Sequence, residues 1–313
     1  MMVYTFLSML EQNGKKIKVA ASRGVVLACG GFESNQEMRE QYLPKPTQTR
    51  WSVAPGCNHG EGIRAGRDIG AALGFMNLTW GTPSVVVPGM TNAAGLFMER
   101  QLPGCIAVDA SGKRFANEAL PYTEFVYAML EARGENGVNG DCWLIFDGTF
   151  RKKYPLSPMM PASIQPDKKL PPDWENEVYW KAESLSELAN KIGVDPDGLA
   201  QSVQKMNGYA ATGKDEQFGK GDDVFQRYYG DPSVKPNPCL APLDKAPFYA
   251  VRLTPGEIGT KGGLLTDESA RVVREDASVI EGLYAVGNCS AAVMGRTYPG
   301  PGATLGPAMA FGW

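Results

Sequence analysis

Apolar positions along this chain fall into two kinds of run. Short apolar stretches broken by glycine, as in "RGVVLACGGFESN" and "VIEGLYAVGNCSAAV", have the texture of buried strands. By contrast, "SLSELANKIGVDPDGLAQSVQKMNGYA" carries its apolar residues at helical spacing. The opening "VYTFLSMLEQNGKKIKVAA" predicts a hairpin, because two strand-like runs flank Asn13-Gly14, a dipeptide suited to a two-residue turn with positive φ at both positions. The strand predicted in "RGVVLACGG" ends at Gly30-Gly31. Glycine there lets backbone N–H groups face a ligand, and an ordinary turn after a core strand gives the same pattern. In "NHGEGIRAGRDIGAALGFMN", Ala65, Ile69, Ala72, Leu73 and Met76 predict one helix, either with its N-terminus open to an anion or as a plain surface helix.

From about Thr82 the texture changes. Prolines become frequent, Ser184 with Glu187 forms a capping box, and Asp195-Pro196 is a cap followed by proline at the first helical position. Near Thr254 the short strands and glycine turns return, in "TPGEIGTKGGLLTDESARVV". One domain interrupted by an insertion accounts for this return, with residues 1–82 and 257–313 in the outer domain and 83–256 in the insertion.

Charge narrows the partners. The 31 basic and 34 acidic side chains of the 313 residues nearly cancel and are scattered, so neither a nucleic-acid stripe nor a polybasic membrane patch is visible. A small-molecule partner is expected. No apolar run approaches the roughly 20 residues of a membrane span, and the stretch from Val3 to Leu10 lacks a basic lead-in, so a cytoplasmic protein is expected. The six cysteines are widely spaced without a CxxC pair and predict free, buried thiols. The single histidine, His59, has no cluster of cysteine partners, so no metal site is expected and proton transfer should fall to other side chains. The 37 glycines come in short bursts, which suggests close approach of backbone to a ligand at several places.

Four stretches, "RGVVLACGGFESN", "GKRFANEALPY", "IGTKGGLLTD" and "GLYAVGNCSAAVMGRTYPGPGATLGPAMAFG", occur in an order that resembles the FAD-binding enzymes of the fumarate reductase and 3-ketosteroid dehydrogenase superfamily. The resemblance implies an α/β fold with an α+β insertion: a partial Rossmann-like FAD-binding domain interrupted by a substrate-binding catalytic cap domain. That superfamily opens with a strand, a GxGxxG loop and a helix holding the FAD pyrophosphate. No stretch here matches it, so a C-terminal fragment lacking the first half of the FAD domain is expected.

The resemblance also implies a branch. Members acting on small dicarboxylates carry an arginine four residues after the glutamate of "RFxNE" and a second before the last glycine-rich turn; here these positions hold Tyr122 and Tyr298. Two phenols in place of two cations suit a neutral, apolar ketone rather than a dianion. By resemblance, Tyr298 and the Gly302 N–H bind the ketone oxygen, and Tyr122 takes the proton α to it while hydride leaves for FAD. Since a phenol starts near pKa 10, Tyr122 has to be activated by its surroundings. Tyr154 is a reserve candidate for the base. Gly30, Gly31, Gly287, Asn288, Ala303, Thr304 and Leu305 match positions that line FAD. The leading expectation is flavin-dependent 1,2-desaturation of a 3-ketosteroid. Its competitors are a flavin enzyme for another α,β-unsaturated carbonyl compound and a non-catalytic chain that binds an apolar ligand or a partner.

Overall fold

The computed structural model describes residues 6–12 and 14–313. Two compact units emerge. One comprises the chain up to Leu43 with Gly56–Trp80 and Gly259–Trp313, the other Pro44–Pro55 with Gly81–Ile258.

In the second unit, fully apolar strands are explained by a sheet covered on both faces. Cys105–Val108 and Cys142–Phe146 are buried at every position. Along Cys142–Phe146, Cys142, Leu144 and Phe146 join a core with Phe125, Val126 and Met129 of the Tyr122–Arg133 helix. The alternate residues Trp143 and Ile145 join a separate core with Leu188, Ile192, Leu199, Val203 and Met206, from helices Leu185–Ile192 and Pro196–Thr212. Side chains alternate across a strand, so each face meets its own helix layer. The strand order is Ala94–Gly95, Thr79–Val85, Phe248–Thr260, Cys142–Phe146, Cys105–Val108, with Trp180–Ala182 also on Phe248–Thr260. Both predicted helix starts form. Ser184 Oγ accepts from Glu187 N at 3.2 Å, and Asp195 Oδ1 accepts from Asp197 N at 3.0 Å ahead of Pro196.

The first unit holds the smaller sheets. Phe6–Gln12 pairs antiparallel with Lys15–Ala21, so the predicted hairpin forms, although Asn13 of its turn lies outside the described residues. Val25–Leu27 runs parallel to Val279–Ala285, which pairs on its other side with Arg271–Val273. One expectation fails. The helix predicted through Met76 covers only Glu61–Asp68, Gly70 leaves it at φ +88, and Leu73–Gly74 is a strand paired with Gly263–Leu264. Its buried face is Gly62, Ile63 and Gly66, because bare glycines let the helix sit directly on the Cys29 and Cys289 sulfurs and on Leu264. The six cysteines are free thiols as expected, but only four are buried; Cys29 and Cys57 are exposed. No helix among the described residues is long and apolar enough to cross a membrane.

The "RFANE" stretch folds as a sealed ionic knot. Glu118 accepts from Arg114 Nε at 2.9 Å, Arg114 Nη2 at 2.8 Å and the Ala107 N–H at 3.0 Å. Arg114 reaches Asp215 with two further bonds of 3.0 and 2.9 Å, and Lys220 Nζ stands 3.5 Å from Glu118. Burial alone would raise the Glu118 carboxyl, but the Arg114 guanidinium and the Lys220 ammonium overcome it and hold it at about 2. The unfolded carboxyl titrates near 4.5. On acidification the unfolded chain therefore takes up this proton first. The stability contributed by the knot should be complete above about pH 4.5 and lost as pH falls toward 2. Urea unfolding across that range is expected to show the loss. Glu118→Gln should flatten that part of the profile and cost about 3–5 kcal/mol at neutral pH.

Candidate functional site

The knot ends where the Tyr122–Arg133 helix begins. Asn117 Oδ1 accepts from Ala119 N at 2.8 Å, while its Nδ2 donates to Phe218 O and Gln226 Oε1, each at 3.1 Å. One turn on, Thr123 Oγ1 donates to Gly81 O at 3.1 Å. Tyr122 is thereby pinned on both sides, and its ring meets Phe97 edge-on at 5.3 Å. Burial first, then the Glu124 carboxylate and Tyr229, raise the Tyr122 phenol above its usual 10. Within this unit these three influences act against the activation expected of a base. Tyr154, the reserve candidate, donates to Asp231 Oδ2 at 2.6 Å. Burial and that carboxylate raise its phenol strongly, which makes it a poor proton acceptor.

In the first unit, a cavity of about 350 Å³ is lined by residues that include Phe75, Trp80, Gly287, Asn288, Ala303 and Thr304. Four positions assigned by resemblance to FAD thus meet at one place. The backbone there is bared by geometry that favours glycine: Gly287 has φ +63, and Gly302, just before Ala303, has φ +95 with nothing within 4 Å of where a Cβ would stand. Asn288 is fixed by Trp80, whose Nε1 donates to its Oδ1 at 3.1 Å. Tyr298 and Gly302 lie outside the cavity lining, but the Tyr298 ring meets the lining residue Trp80 edge-on at 6.3 Å. Leu305 opens the helix Leu305–Gly312 and is 68 % exposed.

Gly30 and Gly31 are placed elsewhere in this unit. Gly30 turns at φ +80 beside Asn58, and a Cβ on Gly31 would come within 2.1 Å of Thr260 Oγ1. Around them, Glu33 Oε1 accepts from Asn58 Nδ2 at 2.6 Å, and Thr260 Oγ1 accepts from Phe32 N at 3.0 Å. Two residues next to the cavity were given no role by the sequence, Trp80 and Lys261. Lys261 does stand inside the quoted "IGTKGGLLTD", and a charge between glycines in an apolar run was the available signal.

A family profile described as an FAD binding domain matches residues 2–305. The chain belongs to this FAD-binding family. It is 45 % identical over 302 residues to a 3-oxosteroid 1-dehydrogenase of Mycobacterium tuberculosis, covering 94 % of this chain and 52 % of that protein. A 3-oxosteroid 1-dehydrogenase of Comamonas testosteroni is likewise 45 % identical over 310 residues, covering 96 % of this chain and 52 % of its own length. Among solved structures, the 3-ketosteroid Δ1-dehydrogenase of Sterolibacterium denitrificans, in complex with 1,4-androstadiene-3,17-dione, matches with a TM-score of 0.94 and 56 % identity. That match covers 97 % of this chain and 54 % of the other. The chain thus spans about half the length of the curated relatives it matches. The α/β fold of an FAD-binding oxidoreductase expected from the sequence is the fold of this chain.

The packing at Gly31 is testable in the FAD-binding protein. Gly31→Ala should lower stability by about 1–3 kcal/mol through overpacking. Adding Thr260→Ala, which removes the obstructing hydroxyl, should recover part of that loss in the denaturant midpoint.

Proposed function

We propose that this chain serves flavin-dependent dehydrogenation of a 3-ketosteroid, introducing a 1,2 double bond. The observation that carries the reading is chemical: Tyr122 and Tyr298 are phenols at positions where, by the resemblance, the dicarboxylate branch carries cations. The similarity to 3-oxosteroid 1-dehydrogenases over 94 % of the chain supports the same substrate class. Residues 1–82 and 257–313 are read as the FAD-binding part and 83–256 as the substrate part.

The residues present fit the cofactor. Gly287, Asn288, Ala303 and Thr304 share one cavity, with Gly30, Gly31 and Leu305 as further contacts, and bare backbone at Gly287 offers close approach. When bound, FAD supplies the acceptor for the hydride. The chain's own groups manage the ketone and the proton. The Tyr298 hydroxyl and the Gly302 N–H donate to the ketone oxygen and stabilise the charge that gathers there as an enolate forms. That makes the neighbouring carbon a stronger acid, and the Tyr122 phenolate removes its proton. An apolar ketone with no carboxylate requires no arginine clamp, consistent with tyrosine at both positions.

Turnover of a 3-ketosteroid panel by the flavin-loaded protein, with an artificial electron acceptor, tests the reading. Tyr298→Phe and Tyr122→Phe should each lower kcat by roughly 10²–10³ while leaving the flavin spectrum in place. Undiminished turnover in both variants would overturn the assignment.

A further inference from the structure

Lys261 is fully buried, and the residue just before it closes the Phe248–Thr260 strand. Its Nζ donates to three consecutive carbonyls, Gly295 O at 3.1 Å, Arg296 O at 3.1 Å and Thr297 O at 2.8 Å. An ammonium has three N–H donors, enough to serve all three carbonyls. Its main chain holds on as well: Lys261 N donates to Leu78 O at 3.0 Å, and Lys261 O accepts from Ala292 N at 2.9 Å. The same Nζ lies 4.4 Å from the centre of the Trp80 ring. Trp80 in turn meets Tyr298 edge-on and donates to Asn288.

We propose that Lys261 is a positioning residue for the ketone-binding phenol: by gathering the Gly295–Thr297 carbonyls and backing Trp80, it sets where Tyr298 stands. The proposal rests on the reading of Tyr298 given above. In a trans peptide the C=O and the following N–H point in opposite directions. Turning three successive carbonyls onto one ammonium therefore fixes the rotation of the three peptide planes that lead into Tyr298. Gly295 makes the turn at φ +53, where glycine carries no strain. Bonds to a charged donor are the stronger kind, and in a buried setting they hold the segment before any ligand arrives. A phenol placed in advance donates to a ketone oxygen without first being ordered, which favours both ketone binding and the enolate-like transition state. Trp80 links the two ends of the arrangement, with Tyr298 on the ketone side and Asn288 on the flavin side.

A double-mutant cycle in the flavin-loaded protein tests this, over wild type, Lys261→Met, Tyr298→Phe and the double variant. Two quantities are read: kcat/KM with a 3-ketosteroid, and, by equilibrium dialysis without turnover, the dissociation constant of a 1,4-dien-3-one steroid. Lys261→Met should weaken both about tenfold, and the double variant should be no worse than Tyr298→Phe alone, since the lysine acts through the phenol. Lys261→Arg, which keeps the charge, should recover part of the loss. Independent, multiplying losses would overturn the proposal, as would wild-type values in Lys261→Met beside a damaged Tyr298→Phe. Undiminished binding and turnover in Tyr298→Phe would instead overturn the reading of Tyr298 on which the proposal rests. Should Lys261→Met fail to fold, Lys261→Arg takes its place in the cycle under the same criterion.

Discussion

A carboxylate sealed away from water at Glu118 is the constraint on which the second unit depends. Such a group survives only if cations and N–H donors surround it, and here they come from distant parts of the chain. Arg114 grips it in a bidentate pair, Lys220 stands beside it, and the Ala107 N–H ties it to the strand Cys105–Val108. Arg114 also holds Asp215, so one knot fastens a strand, a turn and the segment around residue 220. None of these charges has a role in the proposed chemistry. Their work is to hold still the short stretch from Asn117 to Pro121, from which the Tyr122–Arg133 helix springs.

The first unit solves a similar problem with bare backbone. Its buried cation, Lys261, is met by three peptide carbonyls, which requires a chain that can turn sharply and pack without side chains in the way. Much of the glycine in this unit answers that second need. At Gly31 the close neighbour is Thr260, at Gly62 the two cysteine sulfurs, and at Gly66 the side chain of Leu264. At these positions the missing Cβ makes room for protein neighbours. Around Gly287 and Gly302 the bared backbone lies at or beside the cavity.

What the sequence disclosed was local. The Asn13-Gly14 hairpin, the strand before Gly30, the Ser184 capping box and the Asp195 cap each depend on residues a few positions apart, and each formed. The helix beginning at Glu61 is shorter than its apolar spacing suggests because Ala65 and Ile69 are exposed and Leu73 pairs in a strand, while the buried face is Gly62, Ile63 and Gly66. The longer-range bonds were illegible for a plain reason: Trp80 finds Asn288 across 208 positions, Lys261 finds the Gly295 carbonyl across 34, and Arg114 finds Asp215 across 101. Ordered stretches shared with a known superfamily supplied the positions of Tyr122 and Tyr298. They did not supply what holds those tyrosines in place.

The electrostatics of the Tyr122 phenol bind the two proposed roles together. In the proposed reaction, a base whose phenol is raised above its usual 10, as that of Tyr122 is within its unit, loses about a decade in rate for each pKa unit between it and the working pH, unless the acid it attacks is strengthened. The carbon next to a ketone is strengthened only by stabilising the oxygen on which the charge collects. The weaker the activation at Tyr122, the more the proposed reaction would lean on the hydrogen bonds assigned to Tyr298 and Gly302. Those bonds reach their full effect only if the donors are fixed before charge develops, since a donor that has to be ordered first gives back part of what it contributes. A buried ammonium anchoring the three peptides that lead into Tyr298 meets that requirement, and it does so without placing a cation where an apolar ketone would have to displace its water.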